Sequence, residues 1–263
     1  QVTNTAKGIT GGAGNDRIVN TGTIQVGPGE EATGDEYWMS SLITESFALG
    51  LAGATNSETT AFARTYSTGM DGGAGDDLIL NSGDVTVMAT SRSDSTGGSF
   101  NLFGSGDAET DAGAYTAATG IEGGQGDDWI ETGGDGEALV RVIADSSLTM
   151  DGSSFSIGGG GEAGGKLAAE TLAVGISGGE GQDTVRNNAD IRVDAISTLI
   201  SQAGADTIFG TSDSDLTSGA NTDAAGIKGG DGNDDIANTG SIDVTAFATI
   251  SQDGSSYTCG GTG

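Results

Sequence analysis

The sequence predicts an all-β repeat fold, a β-solenoid of the parallel β-helix or β-roll kind, with about five layers of roughly 50 residues each. Three observations predict it. One nine-residue phrase occurs five times: GITGGAGND at 8–16, GMDGGAGDD at 69–77, GIEGGQGDD at 120–128, GISGGEGQD at 175–183 and GIKGGDGND at 226–234. The leading glycines are spaced 61, 51, 55 and 51 residues apart, and a near-fixed period of this size marks a stacked architecture. Each phrase is followed by apolar residues at every second position, the period of a strand with one buried face.

The elements of one repeat follow in order. The glycine-rich phrase is a turn, because glycine alone lets a backbone curl this tightly without steric cost. After its aspartate comes a short strand ending in asparagine: Ile18 and Asn20, Ile79 and Asn81, Val185 and Asn187, Ile236 and Asn238, with Ile130 and Thr132 in the third copy. Stacked in register, these asparagines form an amide ladder at a corner, a structural role. A small turn follows, often with glycine (Gly22, Gly83, Gly240), and then a second alternating strand: Ile24 and Val26, Val85 and Val87, Val140 and Val142, Ile191 and Val193, Ile242 and Val244. The next stretches, such as 158–165, are rich in Gly, Ser, Asp and Thr and vary in length, so they are expected to be loops on one face. A strand of small residues, as in 61–69, 112–120 and 167–175, closes each repeat. One wide coil per repeat is favoured over two narrow ones, because a single turn motif occurs per period. The whole chain, 1–263, reads as one elongated domain with repeats at approximately 8–68, 69–119, 120–174, 175–225 and 226–263, the last incomplete.

Composition narrows the function classes. Fifty glycines with one proline and no Gly-X-Y period exclude collagen. The 38 acidic against 9 basic residues give a net charge of −29, which repels nucleic acid and anionic membranes and argues against both as partners. Such a charge also strains a compact fold unless cations sit among the carboxylates; solubility or a high-salt habitat is the plainer explanation. With no histidine and one cysteine, Cys259, the chain has no Ser-His-Asp or Cys-His catalysis, no His-ligated zinc and no internal disulfide. No apolar run is long enough to span a bilayer as a helix. The chain begins at Gln1 without a signal peptide, as a processed chain or a segment of something longer would.

The phrase Gly-Gly-x-Gly-x-Asp followed by an apolar residue resembles the nonapeptide of the RTX (haemolysin-type, repeats-in-toxin) calcium-binding family. That resemblance implies Ca2+ held between successive layers by turn carbonyls and the aspartate. Carried across residue by residue, the carboxylate ligands are Asp16, Asp77, Asp128, Asp183 and Asp234. The carbonyls are those of Gly11, Gly72, Gly123, Gly178 and Gly229, and of Ala13, Ala74, Gln125, Glu180 and Asp231. RTX nonapeptides run in tandem, whereas these copies stand about 50 residues apart, so the family's geometry does not transfer directly. Physical chemistry supports the same residues: Ca2+ takes six to eight oxygens, and stacked turns bring like charges together that a divalent cation offsets. The alternative is a plain Gly/Asp turn whose side chains bond their own backbone.

Other residues invite weaker readings. Tyr37 and Trp38, beside Glu30, Glu31, Asp35 and Glu36 in the longest insertion, suit either a sugar site or packing beneath a loop. Trp129 shares an outward position with Arg17, Leu78, Thr184 and Asp235 and is expected to be surface packing. Cys259 aligns with Ile157 and is expected to be buried. The fifth repeat stops short of its closing strand, while 2–8 resemble an orphan closing strand. Copies are therefore expected to join head to tail, with 1–8 completing the neighbour's last layer, or else to be a window on a longer array. The expected protein is a non-enzymatic, secreted, calcium-loaded structural subunit of a surface filament or the stalk of a large adhesin, with cell-surface polysaccharide as a further partner. The alternatives are a calcium-binding accessory module or a β-helical enzyme acting on polysaccharide, for which Glu30–Glu36 is the one non-repeated acidic cluster.

Overall fold

The computed structural model describes residues 1–29, 32, 37–134 and 138–260. The protein is all-β: 83% of the described residues are strand, and they contain no α-helix. The strands are β1 (Val2–Ala13), β2 (Arg17–Asn20), β3 (Thr23–Val26), β4 (Ser40–Gly50), β5 (Thr55–Ala74), β6 (Leu78–Asn81), β7 (Asp84–Phe103), β8 (Gly106–Gln125), β9 (Trp129–Thr132), β10 (Leu139–Glu180), β11 (Thr184–Asn187), β12 (Asp190–Asp231), β13 (Asp235–Asn238) and β14 (Ile242–Thr258).

They form two parallel sheets in which every strand pairs with its counterpart one repeat away. The five-stranded sheet runs β13-β11-β9-β6-β2. The nine-stranded sheet runs β1-β5-β8-β10-β12-β14, with β3 and β4 paired to β7 and β7 to β10. Ile18, Ile79, Ile130, Val185 and Ile236 lie side by side, as do Ile24, Val85, Val140, Ile191 and Ile242. The unequal spacings have a local cause. Thr23 pairs with Asp84 but Ser40 with Ser91, so the extra length of the first repeat lies between β3 and β4.

The Gly/Ser-rich stretches are not loops. Residues 158–165 lie inside β10, a strand of 42 residues whose first part pairs with β7 and whose last part pairs with β8. The chain turns there at Gly159 (φ 140°), and at Gly104 (φ 134°) and Gly210 (φ 143°) in the neighbouring copies. A Cβ on Gly159 or Gly210 would collide with the carbonyl of the glycine one layer back. Small residues are used because two flanks of the layer close on each other, not because the backbone is irregular.

The interior is graded along each layer. Near the short strands it is apolar, with Ile79, Ile121, Ile130, Val85, Val140, Ile176 and Val185 fully buried. Each such side chain contributes about 1.5–3 kcal/mol by leaving water. Farther out comes a band of facing hydroxyls: Ser146 meets Thr116 at 2.7 Å and Thr171 at 2.8 Å, and Thr171 meets Ser197 at 2.8 Å; beyond it lies a second apolar cluster with Leu148, Met150, Leu167 and Leu199. Buried hydroxyls are tolerated because they satisfy one another.

The asparagine column forms as the pattern predicts. Asn20 Nδ2 donates to Asn81 Oδ1 at 2.7 Å, Asn187 Nδ2 donates to Asn238 Oδ1 at 2.6 Å, and Thr132 Oγ1 donates to Asn187 Oδ1. Cys259 departs from the expectation: it is exposed, at an outward position whose counterpart Ile157 is also only half-buried.

Candidate functional site

The five acidic turns lie in one file along the edge where the two sheets meet. Each uses glycine at its second and fourth turn positions with positive φ: Gly12 and Gly14, Gly73 and Gly75, Gly124 and Gly126, Gly179 and Gly181, Gly230 and Gly232. A Cβ on Gly73, Gly124, Gly179 or Gly230 would also run into the carbonyl of the preceding copy. These positions therefore demand glycine twice over, for backbone hand and for close stacking.

The aspartates predicted as ligands point inward and stack. Asp16 N–H donates to Asp77 Oδ1 at 2.7 Å, Asp77 N–H to Asp128 Oδ1 at 2.7 Å, Asp128 N–H to Asp183 Oδ1 at 2.9 Å and Asp183 N–H to Asp234 Oδ1 at 3.0 Å. Asp77, Asp128 and Asp183 are 3%, 2% and 1% exposed. The second oxygen, Oδ2, of Asp16, Asp77, Asp128 and Asp183 is buried without a hydrogen-bond partner. A buried, orphaned carboxylate oxygen is costly, and here the cost recurs at four of the five turns.

The cost appears in the acidity of Asp128 and Asp183. Burial pushes Asp128 up to about 6; the Asp77 N–H pulls it back, and the charges of Asp183, Asp77 and Asp76 push it further. Burial likewise raises Asp183, the Asp128 N–H opposes this, and Asp234 and Asp127 add to the rise.

The carbonyls predicted as ligands divide into two sets. The place where Gly72 would carry a Cβ is 2.6 Å from Asp77 Oδ2 and directly against the Gly123 carbonyl of the next layer. The same place beside Gly11 is 2.9 Å from Asp16 Oδ2 and against Gly72 O; beside Gly123 and Gly178 the Oδ2 atoms of Asp128 and Asp183 are each at 2.5 Å, against Gly178 O and Gly229 O. So an orphaned carboxylate oxygen and a glycine carbonyl converge at each of the first four turns. The other predicted carbonyls bond along the stack: Ala74 O accepts from Gly14 N, Gln125 O from Gly75 N, Glu180 O from Gly126 N and Asp231 O from Gly181 N, at 2.7–2.8 Å. Among the described residues no three carboxylates gather at one point. The orphaned aspartate oxygens fit a hard cation and lie beside the carbonyls of Gly72, Gly123, Gly178 and Gly229; like the rest of the backbone here, the carbonyls also serve the ladder between layers.

A second column was missed by sequence reasoning. The residue before each aspartate forms an outer ladder of opposite polarity: Asp76 N–H donates to Asn15 Oδ1 at 3.0 Å, Asp127 N–H to Asp76 Oδ1 at 3.0 Å and Gln182 N–H to Asp127 Oδ1 at 2.8 Å. The signal was present, since Asn15, Asp76, Asp127, Gln182 and Asn233 all carry a side-chain carbonyl or carboxylate.

The remaining candidates sit elsewhere. Tyr37 packs edge-on against Trp38, with centroids 4.9 Å apart, and donates its hydroxyl to Asp145 Oδ2 at 2.9 Å. Its neighbours Glu30, Glu31, Asp35 and Glu36 lie outside the described residues. Trp129 lies in the outward column with Arg17, Leu78, Thr184 and Asp235, and Arg186 lies over its ring at 5.9 Å. Comparison with protein-family models, characterised proteins and solved structures returns no match for this chain.

Proposed function

We propose that the chain is a structural, calcium-binding β-solenoid of RTX type, about five layers of roughly 50 residues, serving outside the cell as a subunit of a filament or as the stalk of an adhesin. The observation that carries this reading is the single file of buried aspartates, each leaving one oxygen without a partner beside a glycine carbonyl. A bound Ca2+ would neutralise the stacked carboxylates and draw on carboxylate, carbonyl and water oxygens. Asp16, Asp77, Asp128, Asp183 and Asp234 would hold it, with Gly11, Gly72, Gly123, Gly178 and Gly229. The chain's own contribution is cohesion: parallel backbone ladders, the amide column, the inner aspartate column and the outer Asn/Asp column tie the layers together.

Secretion fits this chemistry, because extracellular modules bind calcium at roughly 10⁻⁴–10⁻³ M. The role is non-enzymatic and the principal partner is a further copy, with cell-surface polysaccharide as a second. The acidic surface keeps fibres apart until divalent ions screen it.

Electron microscopy of the purified chain in millimolar Ca2+ and in EGTA, with circular dichroism on the same samples, tests the proposal. Ordered β-rods that melt on chelation are expected. Rods indifferent to EGTA contradict the calcium assignment, and a chain that is unordered in both contradicts the structural reading.

A further inference from the structure

We infer that two copies pack side by side through a charge-poor apolar strip that runs along the second corner of the stack. This rests on the structural reading above and names the surface by which the rods associate laterally.

The register defines the strip. Residues 46–55, 97–106, 152–161 and 203–212 occupy the same stretch of successive layers, around the corner at Gly104, Gly159 and Gly210. Among them only Asp206 is charged, in a chain with 38 acidic and 9 basic residues. Acidic residues border the strip on both sides: Glu45 and Asp151 stand in one outward column, and Asp107, Glu162 and Asp213 in the other. Within these borders the surface is apolar. Phe103 is 65% exposed and Phe209 62%. Each has a neighbouring layer on both sides, so its exposure is lateral and owes nothing to the ends of the stack. Beside them the rings of Phe100 and Phe155 stack with centroids 5.4 Å apart and planes at 11°. Leu102, Ile157 and Ile208 lie half-buried between the two aromatic columns.

Charge and shape select the occupant. Each copy carries a net charge of −29, so faces that carry carboxylates repel one another. Along this strip two copies meet with little charge between them. The strip is also long and narrow. Each exposed phenylalanine leaves roughly 100–150 Å2 uncovered, so the roughly 800 Å2 per partner of a stable interface is reached only when several layers lie side by side. A second rod offers that length of surface in the same chemistry. The relief fits as well. Phe103, Gly158 and Phe209 follow one another in one column, so rings recur every second layer, about 9.5 Å apart, with a glycine between. A facing strip displaced by one layer sets its rings opposite those glycines. The bordering carboxylates of the two copies draw near each other, so the contact forms where Ca2+ screens them.

The test uses the whole chain with Cys259→Ser and a single new thiol. Ile157→Cys places it on the strip, and Glu131→Cys places it in the same layer on the outer face of the short sheet. A flexible bis-maleimide that spans one layer, added in millimolar Ca2+, is expected to join copies through Ile157→Cys and to give only traces through Glu131→Cys. Adding Phe103→Ser and Phe209→Ser to Ile157→Cys is expected to lower the cross-linked yield at least about tenfold. Circular dichroism should stay that of the parent, because both rings lie on the surface. Equal cross-linking from the two thiols, or a yield indifferent to the loss of both rings, overturns the inference. A chain that sedimentation shows to stay monomeric overturns it as well. If that monomer floats with phosphatidylcholine vesicles, the strip belongs to a lipid surface instead. Circular dichroism with and without EGTA judges the structural reading separately, so the two can fail independently.

Discussion

The backbone N–H of Asp77 donates to Oδ1 of Asp128 at 2.7 Å, while Oδ2 of Asp128 is buried without a partner. One carboxylate thus has two unlike oxygens: one ties two layers together, and the other has no hydrogen-bond partner and is the one the calcium proposal assigns to the cation.

Replacing that carboxylate separates the two roles. Asp128→Ala leaves the Asp77 N–H without an acceptor, and the metal-free chain is expected to lose about 1–3 kcal/mol. Asp128→Asn keeps an acceptor oxygen and removes the charge, so the metal-free chain is expected to hold its stability while the gain from Ca2+ shrinks. Thermal melts of both variants in Ca2+ and in EGTA check this; equal calcium gains in Asp128→Asn and the parent would contradict it.

Acidity gives a signed prediction. Burial raises Asp128 to about 6, so the folded, metal-free chain binds its proton more tightly than the unfolded chain does. The associated stability is fully present below the ordinary carboxylate range and is lost as pH rises through about 6. In EGTA the melting temperature should fall between about pH 4.5 and pH 7, less steeply for Asp128→Asn. In Ca2+ the trend should weaken or reverse, because metal binding requires the ionised form. A metal-free slope identical in parent and variant would remove Asp128 as its source.

The turn glycines are the strictest positions. Gly124 has φ 115°, and a Cβ there would collide with the Gly73 carbonyl. Gly124→Ala is expected to cost at least about 2 kcal/mol, combining left-handed strain with displacement of the stacked backbone. Gly22, where a Cβ meets nothing within 4 Å, is the contrasting site. Denaturant midpoints of Gly124→Ala and Gly22→Ala should therefore differ widely; equal values would show that the turns are not held at this spacing.

The amide column carries its own control. Asn187 Nδ2 donates to Ala189 O and to Asn238 Oδ1, and Asn187 Oδ1 accepts from Ala189 N–H and from Thr132 Oγ1. Asn187→Leu leaves several buried groups unpaired and is expected to cost about 2–4 kcal/mol. Asn187→Thr copies the residue standing at Thr132 in the same column and should cost less. Urea melts of the two variants rank them, and the reverse order would contradict the ladder.

Much of this architecture was legible in the sequence because period and alternation are long-range signals that five copies reinforce. The phrase ending at Asp16, Asp77, Asp128, Asp183 and Asp234 gave the stacking register, and Asn20, Asn81, Asn187 and Asn238 gave a corner. The second corner was not legible. Gly104, Gly159 and Gly210 recur with the period, but they are camouflaged by neighbours such as Gly158, Gly160 and Gly161, whose composition reads as loop. Composition also hid the extended backbone of β10, because a narrow interior and a flexible loop both select small residues. The outer ladder through Asn15, Asp76 and Asp127 was overlooked because its residue types vary while their shared acceptor does not. Cys259 was misjudged because apolar type was read as burial: its counterpart Ile157 is itself only half-buried, in the outward alternation with Ser153 and Phe155.

Calorimetric titration of Ca2+ into the EGTA-stripped, dialysed chain, followed by thermal melts across the same calcium range, tests the central claim most directly. The account predicts saturable binding with a melting temperature that climbs as sites fill, and weakened binding in Asp77→Asn/Asp128→Asn/Asp183→Asn. No saturable binding, with a melting temperature indifferent to calcium, would contradict it and reduce the five acidic turns to turns alone.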